Sequence, residues 1–370
     1  MKGSFTKANT KAPPSLSSVA QDITLPSHAQ DTISAVSWSP VANHLAAASW
    51  DGKVRVYDLS TSNVGNSYAR AAAVATLSAD GPLLDCAWAQ DGTLVVAAGA
   101  DKKLHLLHAA TGQHHALADA HAQPIRGVRF VDVPNANANA TGKTNTGAPL
   151  VASGSWDRTL KLWDLRQRRA AAALACAERV YALDARAALL VVATAGQHIH
   201  LVDMRSPGAF LRTVTSQMRT RQTKAVAAFP DGKGWATASI EGRCAVDAVD
   251  EADASKINFQ FRCHRSALVG QTQKVWAVNA VAFHPRHATV FATAGSDGTY
   301  HFWDRVAHSR LRCAITSIAF SRDGSYLAYA VGYDWSRGCH GNTPQIRTKL
   351  VLHPVAEDDV KARRKSEVVI

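Results

Sequence analysis

Short stretches of the chain alternate apolar and polar residues with a period of two, the pattern of strands with one buried face. Seven of them open a recurring unit: ISAVSWSP (33–40), LLDCAWAQDG (83–92), IRGVRFVD (125–132), RVYALDAR (179–186), KAVAAFPDG (224–232), AVNAVAFHP (277–285) and ITSIAFSRDG (315–324). A second strand rich in small residues and a polar turn follow each, as in AAASWDG (46–52), VASGSWDR (151–158) and FATAGSDG (291–298). Third strands close most units, among them VRVYD (54–58), LKLWD (160–164) and YHFWD (300–304). Asp-Gly pairs at Asp51-Gly52, Asp91-Gly92, Asp231-Gly232, Asp297-Gly298 and Asp323-Gly324 supply the positive φ that tight hairpins need.

One four-stranded unit cannot bury both of its faces, so seven of them must close into a ring. With the endings Trp163-Asp164 and Trp303-Asp304, this predicts an all-β fold, a seven-bladed WD40 β-propeller over residues 19–355. QDITL (21–25) reads as the outer strand that completes the last blade, beside KLVLHPV (349–355). Residues 1–18 read as a disordered tail, residues 356–370 as a basic tail, and 132–149 as a disordered low-complexity loop. His28 and His121 each precede an inner strand and are expected to hydrogen-bond within their blades, His121 toward Trp163.

Charge narrows the choice of partner. Lys and Arg number 41 against 29 Asp and Glu, a formal net charge of +12, which favours nucleic acid or acidic protein segments. No apolar run approaches the roughly 18 residues of a membrane span, so membrane insertion is not expected. The start, MKGSFTKANTKAPPSLSS, lacks the apolar core of a secretory signal. Cys86, Cys176, Cys244, Cys263, Cys313 and Cys339 are scattered without CxxC spacing, which fits reduced thiols in cytosol or nucleus.

Catalytic chemistry is not legible. No GxSxG, phosphate-binding loop or GxGxxG stands between a strand and a helix. His105, His108, His114 and His115 cluster without a Cys or carboxylate to complete a metal site, and His198 with His200 shares only a strand face. Cys263 and His264, as neighbours on a strand, point to opposite faces and make no dyad. The expectation is a protein without cofactor, metal or enzymatic activity.

The segments SIEGRCAV (239–246), INFQFRCHRS (257–266), AVNAVAFHP (277–285), AGSDGTYHFWD (294–304) and YDWSRG (333–338) resemble the WD40 mRNA export factors of the nuclear pore. The spindle-checkpoint WD40 proteins, a sister family, share the first four, and YDWSRG tips the resemblance to the export factors. The resemblance implies an adaptor in mRNA export, at the nuclear pore and envelope rim with some cytoplasmic presence. Its partner would be a nucleoporin bearing a GLEBS motif, an extended acidic and hydrophobic segment laid across the top of the ring. It further implies a basic groove for acidic residues or RNA, whose matching positions here are Arg243, Arg262, Arg305 and Arg310. Two of these are usually lysine in the family. Trp50 and Trp156, each in an SWD turn, are candidates to offer flat apolar faces to the peptide. The alternatives are a checkpoint scaffold that binds a kinase, or a substrate receptor of a cullin-type ubiquitin ligase, suggested by Trp163-Asp164-Leu165-Arg166. The chain departs from the family between Trp303-Asp304 and ITSIAF, where RVAHSRLRCA is some eight residues short, predicting a distorted junction.

Overall fold

The computed structural model describes residues 22–26, 28–60, 73–118, 120–131, 150–166, 169–218, 222–303, 308–310, 314–343 and 346–360. The chain enters through β1 (Ile23–Leu25) and then builds antiparallel four-stranded sheets one after another. The first is β2 (Ile33–Trp38), β3 (His44–Ser49), β4 (Lys53–Asp58) and β5 (Ala73–Ser78). The second holds β6 (Leu83–Trp88), β7 (Leu94–Gly99), β8 (Leu104–His108) and β9 (His114–Leu117). Next come β10 (Ile125–Val131), β11 (Leu150–Ser155), β12 (Thr159–Asp164) and β13 (Ala170–Ala175). The fourth sheet is β14 (Val180–Arg186), β15 (Leu189–Thr194), β16 (His198–Asp203) and β17 (Arg212–Thr215). The fifth is β18 (Thr223–Ala228), β19 (Gly234–Ser239), β20 (Arg243–Ala248) and β21 (Phe259–Arg262). The sixth is β22 (Val278–Phe283), β23 (Phe291–Gly295), β24 (Thr299–Trp303) and β25 (His308–Arg310). The seventh contains β26 (Ile315–Phe320), β27 (Tyr326–Val331) and β28 (Lys349–Pro354), and β1 is its outer strand.

Each inner strand packs on the inner strands of both neighbours, and β26 packs on β2, so the seven blades close a ring. Closure uses the N-terminal strand, as the sequence suggested: Ile23, Thr24 and Leu25 pair with Leu352, Val351 and Leu350. Asp22 locks it, accepting hydrogen bonds from Tyr329 Oη and His353 Nδ1, both at 2.6 Å. The apolar core lies between sheets. Val54, Val56 and Leu77 of blade one pack with Leu83, Trp88 and Leu107 of blade two. Leu25, Leu350 and Leu352 of blade seven join Ile33 and Leu45 of blade one. No blade has a core of its own, and that is the physical reason for the ring.

Turns between second and third strands, and the connections between blades, lie on what we call the upper face. The other turns lie on the lower face. The predicted Asp-Gly turns carry positive φ at Gly52, Gly92, Gly232, Gly298 and Gly324. Lys102 and Arg158 occupy the same slot with φ of 66° and 65°, so the turn repeats where its glycine does not.

Two blades carry a buried four-residue network. His121 Nδ1 pairs with Asp157 at 2.9 Å, and its Nε2 meets Ser153 Oγ, which accepts from Trp163 Nε1. In blade six His264 bridges Asp297 and Thr293, and Trp303 Nε1 donates to Thr293. His264 lies beyond the end of β21, not on a strand, and it forms this network rather than a pair with Cys263. The expectation for His28 fails. It is exposed with φ 47°, because blade one has Ala47 and Tyr57 where blade three has Ser153 and Trp163, leaving no hydroxyl to receive it.

Asp51, Asp101, Asp157 and Asp297 of these turns are pushed up by burial. Hydrogen bonds from Arg55, His105, Thr159 and His264 more than offset that and hold each carboxyl below its ordinary 3.8. A depressed carboxylate pKa gives stability that is complete above the unfolded value and is lost as pH falls through the folded one. The melting temperature is therefore expected to fall steeply below about pH 4. A curve that stayed flat to about pH 2 contradicts this role of the turns.

The short junction after Trp303 falls largely outside the described residues, at 304–307 and 311–313. Four residues, 311–314, separate β25 from β26, and four also join β5 to β6 and β13 to β14. β25 itself has three residues. The expected loop at 132–149, the tail 1–18 and the last ten residues, 361–370, lie outside the described residues. Before them the chain turns through α2 (Glu357–Val360), which buries Val360.

Candidate partner-binding face

Arg243 opens β20 and Arg262 ends β21, and the two are direct cross-strand partners. Both therefore stand on one side of blade five at its upper end, Arg243 half-buried and Arg262 exposed. Like charges directly opposite one another cost energy in an isolated sheet. The turn beneath them is tightly fixed. Gly242 has φ +59°, and a Cβ there would sit 2.6 Å from the Cys263 carbonyl oxygen, so the EGR turn requires glycine. Arg265, which sequence reasoning passed over, clamps the same turn by donating to the carbonyls of Gly242 (3.1 Å) and Glu241 (2.6 Å). The signal was present in FRCHR, whose last residue is this arginine.

The upper face of this blade also exposes apolar side chains. Ile240 is 40% exposed, and the long connection 263–277 presents Leu268 at 66% and Val269 at 76%. Such residues next to arginines suit a segment that alternates acidic and apolar side chains. Of the two expected tryptophans, Trp156 is 38% exposed at its turn. Trp50 instead stacks on Trp335 with ring centroids 4.2 Å apart. One face of Trp50 is thus committed to the contact between blades one and seven. Trp335 comes from YDWSRG and takes a left-handed φ of 60°, held by a loop in which Tyr333 Oη donates to Gly338 and accepts from Arg337 N. Arg310 faces Thr299 in register on β25, and Arg305 lies outside the described residues. The structure thus joins Arg243 with Arg262 and places Trp50 and Trp156 at other blades of the same face.

The other polar candidates have local partners. Arg166 forks onto Asp164 at 2.6 and 3.0 Å, and Arg205 does the same with Asp203 one blade on. The WDxR arginine is thus one instance of a repeated turn contact. His105 bonds Asp101, and His200 bonds Thr213 while stacking on Phe210. His264, Asp297 and His301 have ligand atoms close enough for a metal, but His264 and Asp297 are already engaged in the blade-six network. Cys86, Cys176, Cys244 and Cys263 are buried thiols, and burial pushes Cys86 and Cys176 up to about 12; Cys339 is exposed.

Comparison with known proteins places this geometry. The family model described as WD domain, G-beta repeat matches residues 21–58, 72–107, 117–164 and 261–304. The WD40 repeat protein poxJ of Penicillium oxalicum is 44% identical over 95% of this chain and 97% of its own length. The Poly(A)+ RNA export protein of Schizosaccharomyces pombe is 41% identical over 93% of this chain and 94% of its own. The mRNA export factor GLE2 of Chaetomium thermophilum is 39% identical over 98% of each. With near full-length matches of this kind, this seven-bladed chain belongs to the WD40 mRNA export factor family.

Proposed function

We propose that this chain is a non-enzymatic adaptor in nuclear export of mRNA, which docks on a nucleoporin by binding a GLEBS segment across its upper face. The observation that carries the reading is the in-register pair Arg243–Arg262 beside exposed Ile240, Leu268 and Val269. Paired guanidinium groups bind carboxylates in bidentate fashion, and the neighbouring apolar side chains take the hydrophobic residues between them. By the family resemblance, Arg305 and Arg310 are further candidates for contact with acidic protein residues or RNA. The relatives named for RNA export and the excess of positive charge support this reading.

A fluorescently tagged copy expressed from its own locus tests it. The expected result is a signal at the nuclear rim, with poly(A) RNA retained in the nucleus on depletion. Diffuse signal with normal RNA distribution contradicts the reading, and kinetochore signal without a rim assigns the chain to checkpoint work instead.

A further inference from the structure

At the lower side of the ring the ends of all seven inner strands line an open-mouthed cavity of about 410 Å³. This volume falls in the range of small-molecule sites, about 300–1,000 Å³. Trp38 and Trp88 form part of its wall. Their indole N–H groups donate to the carbonyls of Ala319 and Ser37 in neighbouring blades, which leaves the rings as rigid apolar surface.

The charge around this cavity is unbalanced. Arg129 donates to Asp85 at 2.6 Å and to Asp184 at 3.0 Å. Val128 N and Ala228 N add one hydrogen bond to each carboxylate, so the two acids are held in place around one guanidinium, with one formal negative charge left among the three side chains. Arg186 and Arg322 then stand exposed at the lower mouth, on blades four and seven. Arg322 donates to the carbonyl of Val41 at 3.1 Å. Arg186 has no hydrogen-bonding side-chain partner among the described residues. Arg126 and Lys224 lie higher, at the second positions of β10 and β18, and among the described residues neither has a salt-bridge partner. Burial depresses both, and Arg126 depresses Lys224 further while Asp334 opposes it. Groups of blades three, five and seven influence one another in this way because they face a common axis.

We propose that this cavity is a binding site for a compact small molecule carrying several phosphate groups, held at its mouth by Arg186 and Arg322. Cations on blades four and seven at the mouth of one cavity suit a ligand with charge at both ends. A cavity of about 410 Å³ is too small for a folded segment of a protein. This site lies on the face opposite the arginine pair of blade five, so its occupancy is independent of the peptide reading.

The test is titration calorimetry of the full chain with inorganic tripolyphosphate at about 0.15 M salt, where exposed charges more than about 8 Å apart are screened. One saturable site is expected. R186Q/R322Q should weaken it at least about tenfold, and R186K/R322K should recover most of the loss. Near-ultraviolet circular dichroism of each variant establishes that it is folded. Absence of a saturable site, or equal affinity in folded R186Q/R322Q, overturns the proposal. Displacement of tripolyphosphate by a short oligouridylate at equal phosphate concentration also overturns it, assigning the charge to nucleic acid, and failure to displace supports it.

Discussion

Reversing Arg243 and Arg262 together to glutamate is expected to abolish binding of an acidic GLEBS-type peptide in a propeller that stays folded. The two are direct cross-strand partners, so a carboxylate of the peptide meets both at once. Removing one member of a partly desolvated interfacial charge pair costs about 2–5 kcal/mol, so the double reversal should lower affinity by more than about a hundredfold. Arg243→Glu alone should have the larger single effect, because Arg243 is half-buried whereas Arg262 is exposed and better screened. Titration calorimetry beside circular dichroism decides. Unchanged affinity in a folded double variant removes the arginine pair from the binding surface.

A second large effect concerns ring closure. A chain starting at residue 27 lacks β1, and with it buried Leu25 and the two hydrogen bonds that Asp22 accepts. Burial of one leucine contributes about 1.5–3 kcal/mol, and hydrogen bonds to a charged group about 1.5–3 kcal/mol each. Their sum, of order 5 kcal/mol, is comparable with the whole net stability of a domain, about 5–15 kcal/mol. The exposed edge of β28 would also invite aggregation. The melting temperature should drop by on the order of 10 °C, whereas removal of residues 1–18 alone should leave it unchanged. A chain from residue 27 that melts with the parent contradicts the closure described here.

The blades were readable because a strand half-buried between sheets must alternate, and seven stretches do so at similar spacing. The N-terminal strand was readable for the same reason: ITL matches the apolar face of KLVLHPV. Where side chains meet across a blade, sequence was a poorer guide. His28 has the position of a structural histidine, but that role depends on a hydroxyl and a tryptophan two strands away, which blade one lacks. His264 has both partners and was obscured by its neighbour Cys263. The facing of Arg243 and Arg262 was expected only in outline. Ten residues, 249–258, including the helical turn α1 (Ala254–Ile257), join their strands, and a connection of that length does not fix a register. Trp50 stacks on a residue 285 positions away, a contact that no local pattern announces.

The central claim, that partners bind the upper face at blade five, is tested most directly by hydrogen–deuterium exchange of the intact chain with and without a GLEBS peptide. The account predicts slowed exchange at the turn 240–242, at Arg262 and through the connection 263–277, with the lower-face turns unaffected. Protection confined to the lower face, or none at saturating peptide, would contradict it.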